Sequence, residues 1–211
     1  MIIALESASS DPSIALAAPD GIAIASDGWS SGGRQGSDLL PRLLDLLARE
    51  RRELRGATVV AVGIGPGSFT GLRVAMSLAK GLAMAFAIPV SGVPSLEAWL
   101  AAEPSADAAV SRAGARDAFL LARGEARPRI ASSVDLGALI EGRRLVAPAE
   151  LAEAFQLLDT IPPHRAAAAV AAIAAERIAM NPAGDDLARL EPEYLRAPRG
   201  IGPSAEVASW P

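Results

Sequence analysis

The chain has no cysteine and a single histidine, His164, among its 211 residues. The first absence rules out disulfides, thiolate metal sites and cysteine nucleophiles. With one imidazole, a transition-metal site has little to build on, and none is expected. Aromatic residues are scarce at 4%, too few to lay out stacking platforms for bases. Positive charge is also lacking: 20 Lys and Arg stand against 24 Asp and Glu, a formal net charge of −4. That balance argues against unaided affinity for RNA or DNA. The densest basic stretch, Arg49-Glu50-Arg51-Arg52-Glu53-Leu54-Arg55, is interleaved with acids and reads as a solvated helix end. No uncharged apolar run approaches ~20 residues, so no membrane span is expected. The start has no basic n-region and meets Glu6 early, unlike a signal peptide. A soluble, cytoplasmic protein is the expectation.

What is present is a core-forming set: 51% hydrophobic and 21% charged residues, ordinary for a globular chain. The length allows one sizeable core or two lobes of roughly 100 residues each. Met1–Leu5, Ser13–Ala17 and Gly21–Ser26 read as strands separated by Asp11-Pro12 and Pro19-Asp20-Gly21, an antiparallel meander. Trp29 to Gly36 reads as a flexible connection. A helix follows from Ser37 or Asp38 to about Leu54, with Pro41 in its first turn and leucines over a broad face. Residues 58–64 read as a buried strand, Thr70–Phe86 as a helix and Ile88–Val93 as a strand. This order matches one lobe of the ribonuclease-H-like architecture. Beyond Ser95 the pattern predicts a helix at Leu96–Ala101 and strands at Ala108–Arg112 and Ala118–Arg123. Helices at Pro148–Leu158 and Ala166–Met180 complete it. The expected division is a first lobe at 1–100, a reduced second lobe at 101–198 and a disordered tail at 199–211.

Gly65-Pro66-Gly67-Ser68-Phe69-Thr70-Gly71 lies between a strand and a helix, where α/β proteins present amides to anions. It is not a Walker loop, since the required lysine is missing, and its third glycine falls one position late for a dinucleotide fingerprint. A phosphate or nucleotide loop would draw on Glu6, Ser7 and Ser10 with Gly65, Gly67, Ser68, Thr70 and Gly71. The alternative is a tight turn in which Ser68 or Thr70 caps the helix. The helix itself is apolar nearly all round. Leu72, Ala75, Met76, Ala79, Leu82, Ala83 and Phe86 form one face, Val74, Leu78 and Ala85 extend it, and Arg73, Ser77 and Lys80 leave a narrow polar stripe. Such a helix is buried on two sides, either as an internal layer or against a partner. The expected partner interface is Leu39, Leu43 and Leu47 of the first helix with Leu72, Arg73, Ala75, Met76, Ser77, Ala79 and Lys80 of the second.

Three stretches resemble the TsaB (YeaZ) family: the opening Met1-Ile2-Ile3-Ala4-Leu5-Glu6-Ser7, the run from Gly65 to Ala83, and Leu190-Glu191-Pro192-Glu193-Tyr194-Leu195-Arg196-Ala197-Pro198. Leu39-Leu40-Pro41 resembles it too. The resemblance implies a two-lobed fold of the actin, hexokinase and heat-shock-chaperone (ASKHA) class. It implies a non-catalytic subunit that pairs with TsaD, joined by the small ATPase TsaE. TsaD transfers a threonylcarbamoyl group to the adenosine next to the anticodon of ANN-decoding tRNAs. On this reading tRNA is met only indirectly, no cofactor is required, and two points stay open: a weak ATP or ADP site at the junction with TsaD, and a homodimer of the isolated chain. The sequence departs from the family in having Glu6-Ser7 where an acid and a threonine are usual, and Gln35 where many members have a histidine. The other reading is a small phosphotransferase of the sugar-kinase class, which needs Mg²⁺, a second phosphate loop and a base.

Overall fold

The computed structural model describes residues 1–32 and 35–193, the side chains of residues 35 and 36 excepted. Tyr194–Pro198 and the expected tail at 199–211 lie outside the described residues. Strands β1 (Ile2–Glu6), β2 (Ser13–Ala17) and β3 (Ala23–Gly28) form the predicted meander, with Ile3 opposite Leu16 and Ala15 opposite Ser26. β4 (Val59–Gly63) runs parallel to β1, and β5 (Val90–Val93) parallel to β4, giving the order β3-β2-β1-β4-β5.

Alternation along these strands decides what covers each face. Ile3, Leu5, Ile14, Leu16, Val60 and Val62 point to one side, where they pack with helices α1 (Gln35–Arg49) and α2 (Phe69–Phe86). Ile2, Ala4, Ala15, Ala17, Val59 and Ala61 point to the other and meet Ala98 of α3 (Ser95–Ala102) and the alanine-rich helix at Ala166–Met180. α1 starts before the expected Ser37, placing Pro41 in its second turn, and stops at Arg49 rather than near 54. The stop is set by Arg51, which turns left-handed (φ 51°) while the Arg52 amide donates back to the Leu47 carbonyl at 2.8 Å.

The second sheet holds β6 (Ala108–Arg112), β7 (Asp117–Ala122), β8 (Arg129–Ser132), β9 (Leu145–Val146) and β10 (Thr160–Ile161), in the order β10-β9-β6-β7-β8. Helices α4 (Ser133–Ile140) and α5 (Ala149–Phe155) belong to this half, and Leu136, Ile140 and Leu151 pack on Val110 and Leu120. The result is a two-lobed α/β fold of the ribonuclease-H-like, actin-like class with a smaller second lobe. Trp99, fully buried, sits where the lobes meet, with Leu72, Leu96, Phe119 and Val146 around it.

The last helix among the described residues, α6 (Ala166–Met180), falls in the stretch expected to build the second lobe yet covers the first sheet. Its small side chains allow the close approach: a Cβ at Gly21 would lie 2.8 Å from the Ala172 Cα. After α6 the chain runs along the outer edge of β5. Asp185 gives its amide to the Val90 carbonyl (2.8 Å) and takes the Gly92 amide on Oδ2 (2.7 Å). The Glu193 amide then bonds the Ile64 carbonyl at 2.7 Å. The edge strand is thereby covered.

Candidate functional site

The glycine turn is built for close packing. Gly65 adopts φ +97°, a conformation open to glycine. A Cβ at Gly67 would stand 2.2 Å from the Ala8 carbonyl oxygen, and one at Gly71 2.0 Å from that of Ser7. Both glycines thus let the turn after β1 lie directly on the start of α2. The Ser68 amide donates to the Ala8 carbonyl (2.6 Å), the Gly71 amide to Ser68 Oγ (3.2 Å) and the Gly65 amide to Ser95 Oγ (3.0 Å). Ser68 is the N-cap of α2, as one of the two sequence readings had it. These three amides, which a phosphate would need, already have acceptors inside the chain. Of the other residues proposed for a phosphate loop, Ser7 is fully buried with its Oγ unpartnered, Ser10 is half-buried and Thr70 is exposed.

Glu6 ends β1 with its carboxyl turned into the protein, 1% exposed. Its Oε1 accepts the Ala8 amide at 2.7 Å, and Oε2 has no hydrogen-bond partner. Burial pushes this acid up to about 7 from an ordinary 4.5; the Ala8 and Ser7 amides, the Ser95 hydroxyl and the Trp99 indole offset the rise in part.

The α1–α2 pair divides differently from the expectation. Leu39, Leu43, Leu47, Leu72, Ala75, Met76 and Ala79, all assigned to a partner interface, are buried in the chain's own core. All but Leu72 pack on the sheet face that the two helices cover, and Leu72 packs beside Trp99 where the lobes meet. Arg73 and Ser77 are exposed and Lys80 half-buried. The apolar surface that is left belongs to their neighbours. A groove of about 600 Å³ runs between the helices, lined by Leu40, Phe69, Val74 and Leu78 beside Arg73 and Ser77. Leu40, Leu44 and Phe69 are 41%, 45% and 40% exposed, and Met84 is 70% exposed further along α2. The Arg73 guanidinium lies 3.8 Å over the Phe69 ring.

A second cavity, about 330 Å³, lies between the lobes and is lined by Ala8, Ser9 and Gly67 on one side and by Arg112, Gly114 and Glu150 on the other. Beside it Asp11, buried, ties the lobes together. Its carboxylate accepts from Ser30 Oγ and from the Ala149 amide at the head of α5 (3.2 Å), and His164 Nε2 lies 3.2 Å away. His164, read from sequence as a surface residue, is half-buried and held by that contact. Sequence reasoning missed Asp11 as an organiser, because Asp11-Pro12 reads there as a turn.

The chain is similar to known proteins. The model of the family TsaD, tRNA N6-adenosine threonylcarbamoyltransferase, matches residues 34–140, just over half of the chain. The tRNA threonylcarbamoyladenosine biosynthesis protein TsaB of Escherichia coli K12 is 40% identical over 58 residues, 28% of this chain. The chain belongs to the TsaB (YeaZ) family. The matched stretch spans 25% of the length of the Escherichia coli TsaB and 28% of that of Rv3421c from Mycobacterium tuberculosis, which is 45% identical over 60 residues. Solved structures cover far more. YeaZ from Pseudomonas aeruginosa superposes with a TM-score of 0.66 at 22% identity, over 92% of this chain and 99% of that one, a likeness of fold. An uncharacterized protein with similarity to the peptidase YeaZ from Pseudomonas aeruginosa superposes with a TM-score of 0.69 at 26% identity, with the same coverage. No helix among the described residues is long and apolar enough to cross a membrane.

Proposed function

We propose that this TsaB-family chain is the non-catalytic subunit that binds and activates TsaD in the threonylcarbamoylation of the adenosine next to the anticodon of ANN-decoding tRNAs. One observation carries this reading: two adjacent helices keep an apolar groove and the leucines Leu40 and Leu44 at the surface of the folded chain. A contiguous apolar patch of this kind fits a protein interface. TsaD is the partner on this reading because the chain matches the TsaD family model. The net charge of −4 fits a subunit that leaves most tRNA contacts to its partner. The remaining parts of the reading are a cytoplasmic location, TsaE joining the pair, a homodimer through the same groove in isolation, and any ATP or ADP bound at the junction only weakly.

The test is the mass of this chain, of TsaD and of their mixture by light scattering, with Leu40→Asp and Leu44→Asp as variants. The mixture is expected to run as a complex, and each variant to weaken it at least tenfold, because docking would bury an unpaired carboxylate. A mixture that stays as separate chains overturns the proposal.

A further inference from the structure

Docking through the groove leaves unused the arginine-rich stretch after α1, which the sequence reads as a solvated helix end. The structure makes it a fixed turn. Arg51 is left-handed (φ 51°), its amide donates to the Ala48 carbonyl (3.1 Å), and the Arg52 amide donates to the Leu47 carbonyl (2.8 Å). The short 3₁₀ turn Leu54–Gly56 closes it, with the Gly56 amide on the Glu53 carbonyl (3.0 Å) and the Ala57 amide on that of Leu54 (3.0 Å). Leu54 and Ala57 pack into the core of the first lobe. The backbone carrying Arg51, Arg52 and Arg55 is thereby anchored, while all three side chains are exposed.

Their charges are not matched inside the chain. Arg42 and Arg49 share the Asp27 carboxylate, at 3.0 and 3.8 Å. Arg51, Arg52 and Arg55 have no ion pair among the described residues, and neither do the intervening Glu50 and Glu53, which are also exposed. The three guanidinium groups keep their donors free for solvent or an anion, in the fork that fits phosphate oxygens. The turn also lacks what a protein interface is built around: from Ala48 to Thr58 no large apolar side chain is exposed. Cationic groups without an apolar anchor suit the phosphate backbone of a nucleic acid. Three arginines against two glutamates leave one net positive charge over residues 50–55, too little to hold RNA unaided at physiological salt. The turn is suited to add to contacts that a partner makes.

Its position allows that. Arg49 is nine residues beyond Leu40 along α1, about 14 Å, so the turn lies past the end of the groove on the same helix. We propose that the turn Glu50–Gly56 is an RNA-backbone contact, in which Arg51, Arg52 and Arg55 hold phosphates of the tRNA brought by the docked partner. It adds affinity and orientation and reads no base. Its part in the complex rests on the docking reading; the affinity of the turn for RNA phosphates does not.

Two measurements test it separately, each with Arg51→Gln, Arg52→Gln and Arg55→Gln combined and with the three matching lysine substitutions combined. With TsaD, tRNA binding is followed over a series of salt concentrations. The glutamine variant is expected to bind about tenfold more weakly at about 0.1 M salt, with a slope of log affinity against log salt shallower by about 2, and the lysine variant to keep the wild-type slope. Unchanged affinity and slope, or equal losses in the two variants, overturn the proposal. A glutamine variant that fails to pair with TsaD makes the turn part of a protein interface and overturns it too. In the free chain at low salt, a short RNA hairpin is expected to shift the amide NMR signals of residues 51–56 in the wild type and not in the glutamine variant. Signals that stay still, or that a polyglutamate peptide of equal charge moves as far, overturn the phosphate contact. If wild type and TsaD form no complex, the docking reading fails, and the free-chain titration alone decides the contact.

Discussion

Two glycines in α2 offer a matched pair of substitutions. Gly71 lies in the first turn, where an added Cβ would stand 2.0 Å from the Ser7 carbonyl oxygen and 3.1 Å from Ser7 Oγ. Gly81 lies three turns on, exposed, with nothing within 4 Å of the same added atom. Neither has a positive φ, so backbone conformation does not separate them. Alanine at Gly81 gains helix propensity alone and is expected to stabilise by about 1 kcal/mol. Alanine at Gly71 must push backbone aside by more than about 1 Å to reach an ordinary contact. Overpacking of that kind costs about 3 kcal/mol, which outweighs the gain in propensity. The two variants should therefore differ by about 3 kcal/mol in urea unfolding followed by circular dichroism, with similar m-values. Equal stabilities would refute the packing explanation of the glycine turn and return Gly71 to the phosphate reading.

Stability should also depend on Glu6. Its folded pKa of about 7 stands above its ordinary 4.5, so the native state holds the proton more tightly than the unfolded chain. The stabilisation is complete below pH 4.5, declines as pH rises through 7 and amounts to about 3 kcal/mol. Glu6→Gln should remove this decline in denaturant titrations at pH 5 and pH 8; an unchanged slope would contradict it. Met76→Glu places a carboxylate at a position 5% exposed in the core and should cost 3 kcal/mol or more. Leu44→Asp, at the surface, should change stability by less than about 1 kcal/mol, and thermal unfolding separates the two. Asp185→Ala removes the acceptor of the Gly92 amide and should cost about 1–2 kcal/mol, with faster hydrogen exchange at Gly92. Unchanged exchange there would mean the edge of β5 is protected by other contacts.

The first lobe was legible because its signals are strong and local. Short turns separate three strands, and the buried face of α2 (Leu72, Ala75, Met76, Ala79, Leu82, Ala83) is the one its helical spacing predicts. The same pattern assigns Leu39, Leu43 and Leu47 to a partner interface, and the structure buries them in the chain's own core. A sequence gives the width of an apolar face but not how much of it one sheet consumes, and Leu39, Leu43 and Leu47 proved to be core while Leu40 and Leu44 did not. In the second lobe β8, β9 and β10 are too short for periodicity to register; β9 and β10 have two residues each, and Gly137 in the middle of α4 weakens its helical signal. The destination of α6 was hidden for another reason. An alanine-rich helix has little amphipathic contrast, so its sequence does not name the surface it will cover.

That destination bears on how the protein can be made. One face of the first sheet stays open until residues 166–180 exist, so a nascent chain emerging from the ribosome cannot complete its first lobe before the second has been synthesised. A fragment ending between α3 and β6 would carry Ile2, Ala4, Ala15, Val59 and Ala61 uncovered over much of that face, and aggregation rather than autonomous folding is its expected fate. Despite its two sheets, the chain is one cooperative unit in biosynthesis, closed by α6.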